Sequence, residues 1–382
     1  MGYLAELLHQ QVQYNGAEAM YSRALAGCEK ALGPEHRSTL STVNNLGNLY
    51  RDSGRLGEAE AMYSRALAGC KKALGPEHTS TLSTVNNLGK LGEAESMYSR
   101  ALAGWEKALG PEHTSTLDIV HNLGNLYREQ GKLGEAESMY SRALAGKEKA
   151  LGPEHTSTLS TVNNLGALYA DQGKLGDAET MYSRALAGRE KTLGPEHTST
   201  LSTVNNLGNL YVDQGKLGEA ESMYSRALAG RQKALGPEHT STLDTVHNLG
   251  ALYAYQGKLG EAESMYSRAL AGYEKALGPE HTSTLSTVNN LGNLYREQGK
   301  LGEAESMYSR ALAGYEKASR SGTIPAFNAM FNMGLLYCDS NKVAEAKTML
   351  QHALAGYEKF LGLDHAYVGK VTKKLAPGQP PN

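Results

Sequence analysis

The tetrapeptide Gly-Pro-Glu-His begins at Gly33, Gly75, Gly110, Gly152, Gly194, Gly236 and Gly278, at spacings of 42, 35, 42, 42, 42 and 42 residues. A chain copied at so short a period is a row of supersecondary units, each burying its apolar face only against its neighbours. That overrules the two or three globular domains that length alone would suggest. Continuing the period outward predicts nine units in residues 1–362, at about 1–36, 37–78, 79–113, 114–155, 156–197, 198–239, 240–281, 282–323 and 324–362. Residues 363–376 are expected to form a capping helix that shows Lys370, Lys373 and Lys374 to water, and residues 377–382 a disordered tail.

Each copy carries helical spacing twice. Leu201, Val204, Leu207, Leu210 and Tyr211 fall on one face at intervals of three and four. A second run follows through Leu217, Ala220, Met223, Tyr224, Ala227 and Leu228. Gly215 is placed to end the first helix in the left-handed conformation. Gly236-Pro237 stops the second, because proline lacks a donor and disfavours helix in the residue before it. The Ser and Thr residues that follow offer N-caps. The fold class is therefore all-α, a row of helical hairpins without strands. Gly208, inside the first helix, costs about 1 kcal/mol relative to alanine. Its recurrence beside Ala220 and Ala227 predicts close helix approach, with Tyr211 and Tyr224 filling the other side.

The third unit lacks seven residues between Leu88-Gly89 and Lys90-Leu91-Gly92. Seven residues are about two helical turns, so the apolar face keeps its phase. One fused helix from about Thr81 to Leu109 is favoured slightly over a hairpin that turns at Gly89-Lys90.

Leu207, Gly208, Tyr211, Ala220, Tyr224 and Ala227 match the tetratricopeptide signature. The 42-residue length, Val-Asn-Asn-Leu-Gly-x-Leu-Tyr, Gln-Gly-Lys-Leu-Gly-Glu-Ala-Glu and Arg-Ala-Leu-Ala-Gly resemble the kinesin light chain variety. The near-identical copies are also similar to the C-terminal arrays of fungal NTPase-coupled sensor proteins, although G-x-x-x-x-G-K-[ST] is absent here, as is a heptad segment. The resemblance implies a right-handed α-solenoid that binds a peptide or protein along a groove of first helices. Met1 falls inside a first helix, which leaves open that the chain is one part of a longer protein.

Thirty-eight Lys+Arg against 40 Asp+Glu give a net charge of −2. A nucleic-acid binder needs a basic surface to displace counterions, so that partner class is not expected. No run approaches the ~20 apolar residues of a membrane helix, and the N-terminus lacks the basic and apolar regions of a secretory signal. No membrane partner and a cytoplasmic address are the expectation. Cys28, Cys70 and Cys338 make neither a disulfide framework nor a zinc set and are read as free thiols.

The seven loop histidines, His36 through His281, are too far apart to share a metal whose ligands lie within about 2.1 Å; capping or loop packing is the better reading. Asp118 and His121, repeated as Asp244 and His247, share a helix face but bring no third ligand or nucleophile. No nucleophile–base–orienter constellation appears, so a non-enzymatic scaffold without cofactor or metal is expected.

By the resemblance, Ser202, Asn205, Asn209, Val212 and Asp213 mark the groove. At the Asn205 place stand Asn44, Asn86, His121, Asn163, Asn205, His247 and Asn289, and at the Asn209 place Asn48, Asn125, Ala167, Asn209, Ala251 and Asn293. All of these except Asn86, Ala167 and Ala251 are the candidate peptide-binding residues. Primary amides offer two donors and an acceptor, so a ladder of them could pair an extended peptide backbone, provided that they face solvent in the free protein. The Arg231 place is the most variable: Cys28, Cys70, Trp105, Lys147, Arg189, Arg231, Tyr273, Tyr315 and Tyr357. Its aromatics suit a partner patch or packing against the adjacent helix. The alternative function is a ligand-sensing arm of a larger NTPase switch.

Overall fold

The structure is a computed structural model that describes residues 14–375 apart from 54, 76–79, 82, 85, 86, 88–93, 319 and 364. Seventeen helices and no strand occur among the described residues. They fall into two compact units, Met1–Leu235 and Gly236–Asn382. The first holds α1 (Tyr14–Leu32), α2 (Arg37–Asp52), α3 (Leu56–Leu74), α4 (Ala94–Leu109), α5 (Thr114–Glu129), α6 (Leu133–Leu151), α7 (Thr156–Asp171), α8 (Leu175–Leu193), α9 (Thr198–Asp213) and α10 (Leu217–Leu235). The second holds α11 (Thr240–Tyr255), α12 (Leu259–Leu277), α13 (Thr282–Glu297), α14 (Leu301–Lys317), α15 (Ile324–Asp339), α16 (Val343–Leu361) and α17 (Ala366–Leu375). The choice between a fused helix and a stunted hairpin in the short copy turns on residues 88–93, which lie outside the described residues.

The punctuation residues act as their chemistry requires. Gly215 has φ +72°, and Lys216 N–H donates to the Tyr211 carbonyl at 2.8 Å while Gly215 N–H donates to Val212 at 2.9 Å. That pair of bonds is the Schellman closure of α9. The N-cap is not the Ser or Thr expected, and the capping reading of the loop histidines holds. The loop histidine itself occupies it: Nδ1 of His36, His113, His155, His197, His239 and His281 accepts from the backbone N–H two residues on, at 3.1–3.2 Å. The threonine that follows is used elsewhere, Thr200 Oγ1 donating to the Gly194 carbonyl at 2.9 Å across the loop. An extended residue with an acceptor atom at the right reach caps as well as a hydroxyl does.

Packing follows the small-residue stripe. Ala220 and Ala227 are fully buried and Tyr224 nearly so. A Cβ built on Gly208 would stand 2.6 Å from Tyr224 Cε1, and one on Gly230 would stand 2.6 Å from Leu201 Cδ2. At both places an added Cβ would force the facing side chain to shift. Gly208→Ala is expected to cost about 1–3 kcal/mol through overpacking, despite alanine's better helix propensity. Gly218→Ala, where nothing lies within 4 Å, is expected to stabilise by ~0.4–1 kcal/mol. Urea titration of both variants checks the contrast.

Ion pairs join successive second helices, Arg184 to Glu148 and Arg226 to Glu190, and tie α8 to the loop before α7 through Lys191 Nζ and Glu154 at 2.6 Å. Their side chains are a third or more exposed, so each contributes at most about 1 kcal/mol. α17 closes the second unit by burying Val368 and Val371 in a cluster with Phe327, Leu350 and Tyr357. Among the described residues no helix is long and apolar enough to cross a membrane.

Candidate functional site

Within each unit the first helices present a polar face, but the asparagine ladder does not lie open on it. Asn163, Asn205 and Asn289 are only 9, 7 and 8% exposed. The expectation that they face solvent is thereby corrected. Asn163 Oδ1 accepts from Thr203 Oγ1 at 3.1 Å and from Asn206 Nδ2 at 3.4 Å, both on the next first helix. Asn44 Oδ1 accepts from Asn87 at 3.2 Å, and Asn289 Oδ1 from Asn332 at 3.2 Å. Asn205 Oδ1 is buried without a hydrogen-bond partner among the described residues. At Asn44, Asn163 and Asn289 the mid-helix amide is thus a staple between successive hairpins. Burial is tolerated because the amide is met by hydrogen-bonding groups on the neighbouring helix.

His121 and His247 take the same staple position. His121 Nδ1 lies 3.0 Å from Thr161 Oγ1, and Asn164 Nδ2 lies 3.2 Å from His121 Nε2. His247 repeats this with Thr287 at 3.0 Å and Asn290 at 3.1 Å. Since an amide N–H can only donate, Nε2 is the acceptor and the network assigns the neutral Nδ1–H tautomer. Burial holds the His247 pKa down at about 4.

The row that does reach the open face sits four residues further along. Asn209 is exposed, and Asn48, Asn125 and Asn293 are half-buried. In each of these hairpins a tyrosine hydroxyl of the second helix donates to the amide oxygen: Tyr63 to Asn48 at 2.7 Å, Tyr140 to Asn125 at 2.6 Å, Tyr224 to Asn209 at 2.6 Å and Tyr308 to Asn293 at 2.7 Å. Those bonds fix the amide planes. Ala167 and Ala251 occupy the place in two hairpins, opposite the buried Tyr182 and Tyr266. Asp171 and Asp213 mark the C-terminal edge of the face; burial first, then the Asp171 charge, raises the Asp213 pKa.

The variable place on the second helices is buried beneath the seam between neighbouring first helices. Trp105, Tyr273, Tyr315 and Tyr357 are 6% exposed or less, which settles their role as packing in place of an exposed aromatic patch. Lys147, Arg189 and Arg231 are buried at the same place, at 2, 6 and 6%. Each answers to the residue 29 positions earlier, on the first helix of its own hairpin. Asp118 Oδ1 meets Lys147 Nζ at 2.7 Å, Ser160 Oγ accepts from Arg189 at 3.1 Å, Asp244 accepts from Tyr273 at 2.5 Å, and Asn328 accepts from Tyr357 at 2.6 Å. Asp118 and Asp244 therefore pair across the hairpin, not with His121 and His247. Two of these seams hold open clefts, about 240 Å³ with Cys70 among its lining and about 280 Å³ among Asp244, His247, Tyr273 and Ser286. Among the described residues no three His, Cys, Asp or Glu side chains are placed to hold a metal.

Among the described residues, repeated helical hairpins, most with a glycine–tyrosine interface, and a polar face of first helices define a helical-repeat protein. A tetratricopeptide repeat family model matches residues 1–72, 39–91, 83–149, 157–233, 199–275 and 241–317, and a second matches 328–367. The chain belongs to the tetratricopeptide repeat family. Such repeats generally mediate protein–protein interaction. Among solved structures it is similar to the nearly identical TPR-like repeats of a kinesin light chain candidate from Podosopora anserina, at 30% identity over 55% of this chain and 100% of that one, TM-score 0.46. A point variant of that same protein matches at 30% identity over 55% of this chain and 99% of that one, TM-score 0.47. BtubC (BKLC) from P. vanneervenii matches at 25% identity over 68% of this chain and 92% of that one, TM-score 0.44. No curated protein matches the chain.

Proposed function

We propose that the chain is a non-enzymatic cytoplasmic scaffold that holds an extended segment of a partner protein against the polar face of its first helices. The observation that supports this reading most is the set of amides at Asn48, Asn125 and Asn209 in the first unit, each bonded to a tyrosine hydroxyl; Asn293 repeats the arrangement in the second unit. With a tyrosine on Oδ1, Nδ2 is the donor by which each amide would meet a peptide carbonyl. Amides already immobilised lose little further entropy on binding, which is the advantage of preorganisation. The buried Asn163 and Asn289 act behind these amides by bonding to the next first helix of their own unit.

The test is capture of a partner segment on the purified array, followed by the triple variant Asn48→Ala, Asn125→Ala, Asn209→Ala. Each lost hydrogen bond is worth about 0.5–1.5 kcal/mol, so affinity is expected to fall by tens- to a thousandfold. Folding should survive, because alanine already stands at this place as Ala167 and Ala251. Unchanged affinity in a folded triple variant refutes the reading.

A further inference from the structure

The seam between α7 and α9 holds a charge that its neighbour neutralises and it does not. One hairpin earlier, Lys147 is buried at 2% exposure and bonded to the carboxylate of Asp118, which itself stays 56% exposed on the first-helix face. At the equivalent place Arg189 is buried at 6%, and the residue equivalent to Asp118 is Ser160. The guanidinium donates to the Ser199 carbonyl at 2.9 Å, to Thr203 Oγ1 at 2.7 Å and to Ser160 Oγ at 3.1 Å. All three acceptors are neutral. Arginine carries five N–H donors, so two remain, and no carboxylate among the described residues forms an ion pair with it. Burial alone depresses its pKa, with no opposing anion. A buried charge without a counter-ion is destabilising, and an anion entering from the first-helix side would relieve it.

We infer that the α7–α9 seam is an anion subsite of the first-helix face, and that it takes a carboxylate side chain, aspartate or glutamate, of the bound partner segment. The occupant's chemistry is read from the chain itself: Asp118 shows that one carboxylate approaching from this face reaches the buried cation at 2.7 Å. Ser202 and Arg231 repeat the serine–arginine pair one hairpin on, at 3.0 Å. This inference rests on the partner-binding reading above and gives that partner a required charge at one position.

The experiment uses the full chain and needs no partner, so its failure is separate from failure of the amide-row test. Ser160→Asp places a carboxylate where Asp118 has one, and Ser160→Asn is its neutral control. The aspartate variant is expected to melt about 2–4 °C above the asparagine variant. That gain should vanish when Arg189→Gln is added, as a double-mutant cycle requires of a direct pair. In the wild type, N-acetyl-aspartate N-methylamide should shift the Arg189 Nε–Hε NMR resonance saturably. The asparagine analogue should not, and Ser160→Asp should abolish the response. Equal melting temperatures for the two Ser160 variants overturn the inference, as does a resonance that ignores the aspartate probe or answers both probes alike.

Discussion

Replacing Tyr308 by alanine is expected to remove about 3–5 kcal/mol of stability, the range for deleting a buried aromatic whose cavity cannot collapse. Tyr308 is fully buried, clustered with Ala304, Met333 and Leu336. Its ring occupies the space left by Gly292, where a Cβ would lie 2.6 Å from Cε1. Neither neighbour can fill the hole: glycine has no side chain, and Ala304 is already fully buried. Tyr308→Phe separates the ring from its hydroxyl, which donates to Asn293 at 2.7 Å. That loss should cost only about 0.5–1.5 kcal/mol, because Tyr266 is already buried opposite an alanine at the Asn293 place. Repeat arrays unfold by nearest-neighbour units, so hydrogen exchange should show the loss concentrated in α13 and α14. A uniform loss over the second unit, or one below about 1 kcal/mol, would contradict this packing account.

The same tyrosine place was readable from the sequence, and the asparagine place beside it was not. Leu201, Val204, Leu207 and Tyr224 are apolar at helical spacing and are buried, as hydrophobic periodicity predicts. Tyr211, read as an equal core residue, is only half-buried; its hydroxyl reaches Glu179 at 3.5 Å. Periodicity failed where polar residues bury one another. Thr200 and Thr203 are fully buried, so the buried arc of α9 is wider than its apolar stripe and takes in Asn205. The Thr203 hydroxyl is satisfied across the seam by Asn163, a partner 40 residues away that no local pattern reveals. Variation misled in the same manner. Lys147, Arg189 and Arg231 look like surface residues because charge and variability usually mean exposure. Each is instead matched to a first-helix residue 29 positions before it, and the matched pairs Asp118–Lys147 and Asp244–Tyr273 were the signal that could have shown it.

His247 makes the second unit sensitive to acid. Its ring is boxed in by Thr287, Asn290 and the Tyr266 ring at 5.3 Å. Burial lowers its pKa from 6.5 to about 4. In the unfolded chain the imidazole takes up a proton near its ordinary value, so between those two pH values the unfolded state binds more protons than the native state. Stability is therefore expected to be fully present above about pH 6.5, to fall as the pH drops, and to level off near pH 4. At about 1.4 kcal/mol per pH unit the whole effect is about 3 kcal/mol, with most of it, about 2.5, lost by pH 4.5. The geometry gives the reason. A protonated ring has two donors, and Nε2 faces the Asn290 amide nitrogen, which also donates; the staple must break or the amide must turn over. His247→Asn restores the residue found at Asn163, Asn205 and Asn289 and removes the titrating group. Urea titrations of both proteins at pH 7.5 and pH 4.5 should show the wild type losing about 2.5 kcal/mol more than the variant. Equal losses would mean that the ring accepts its proton in place, without disturbing the staple.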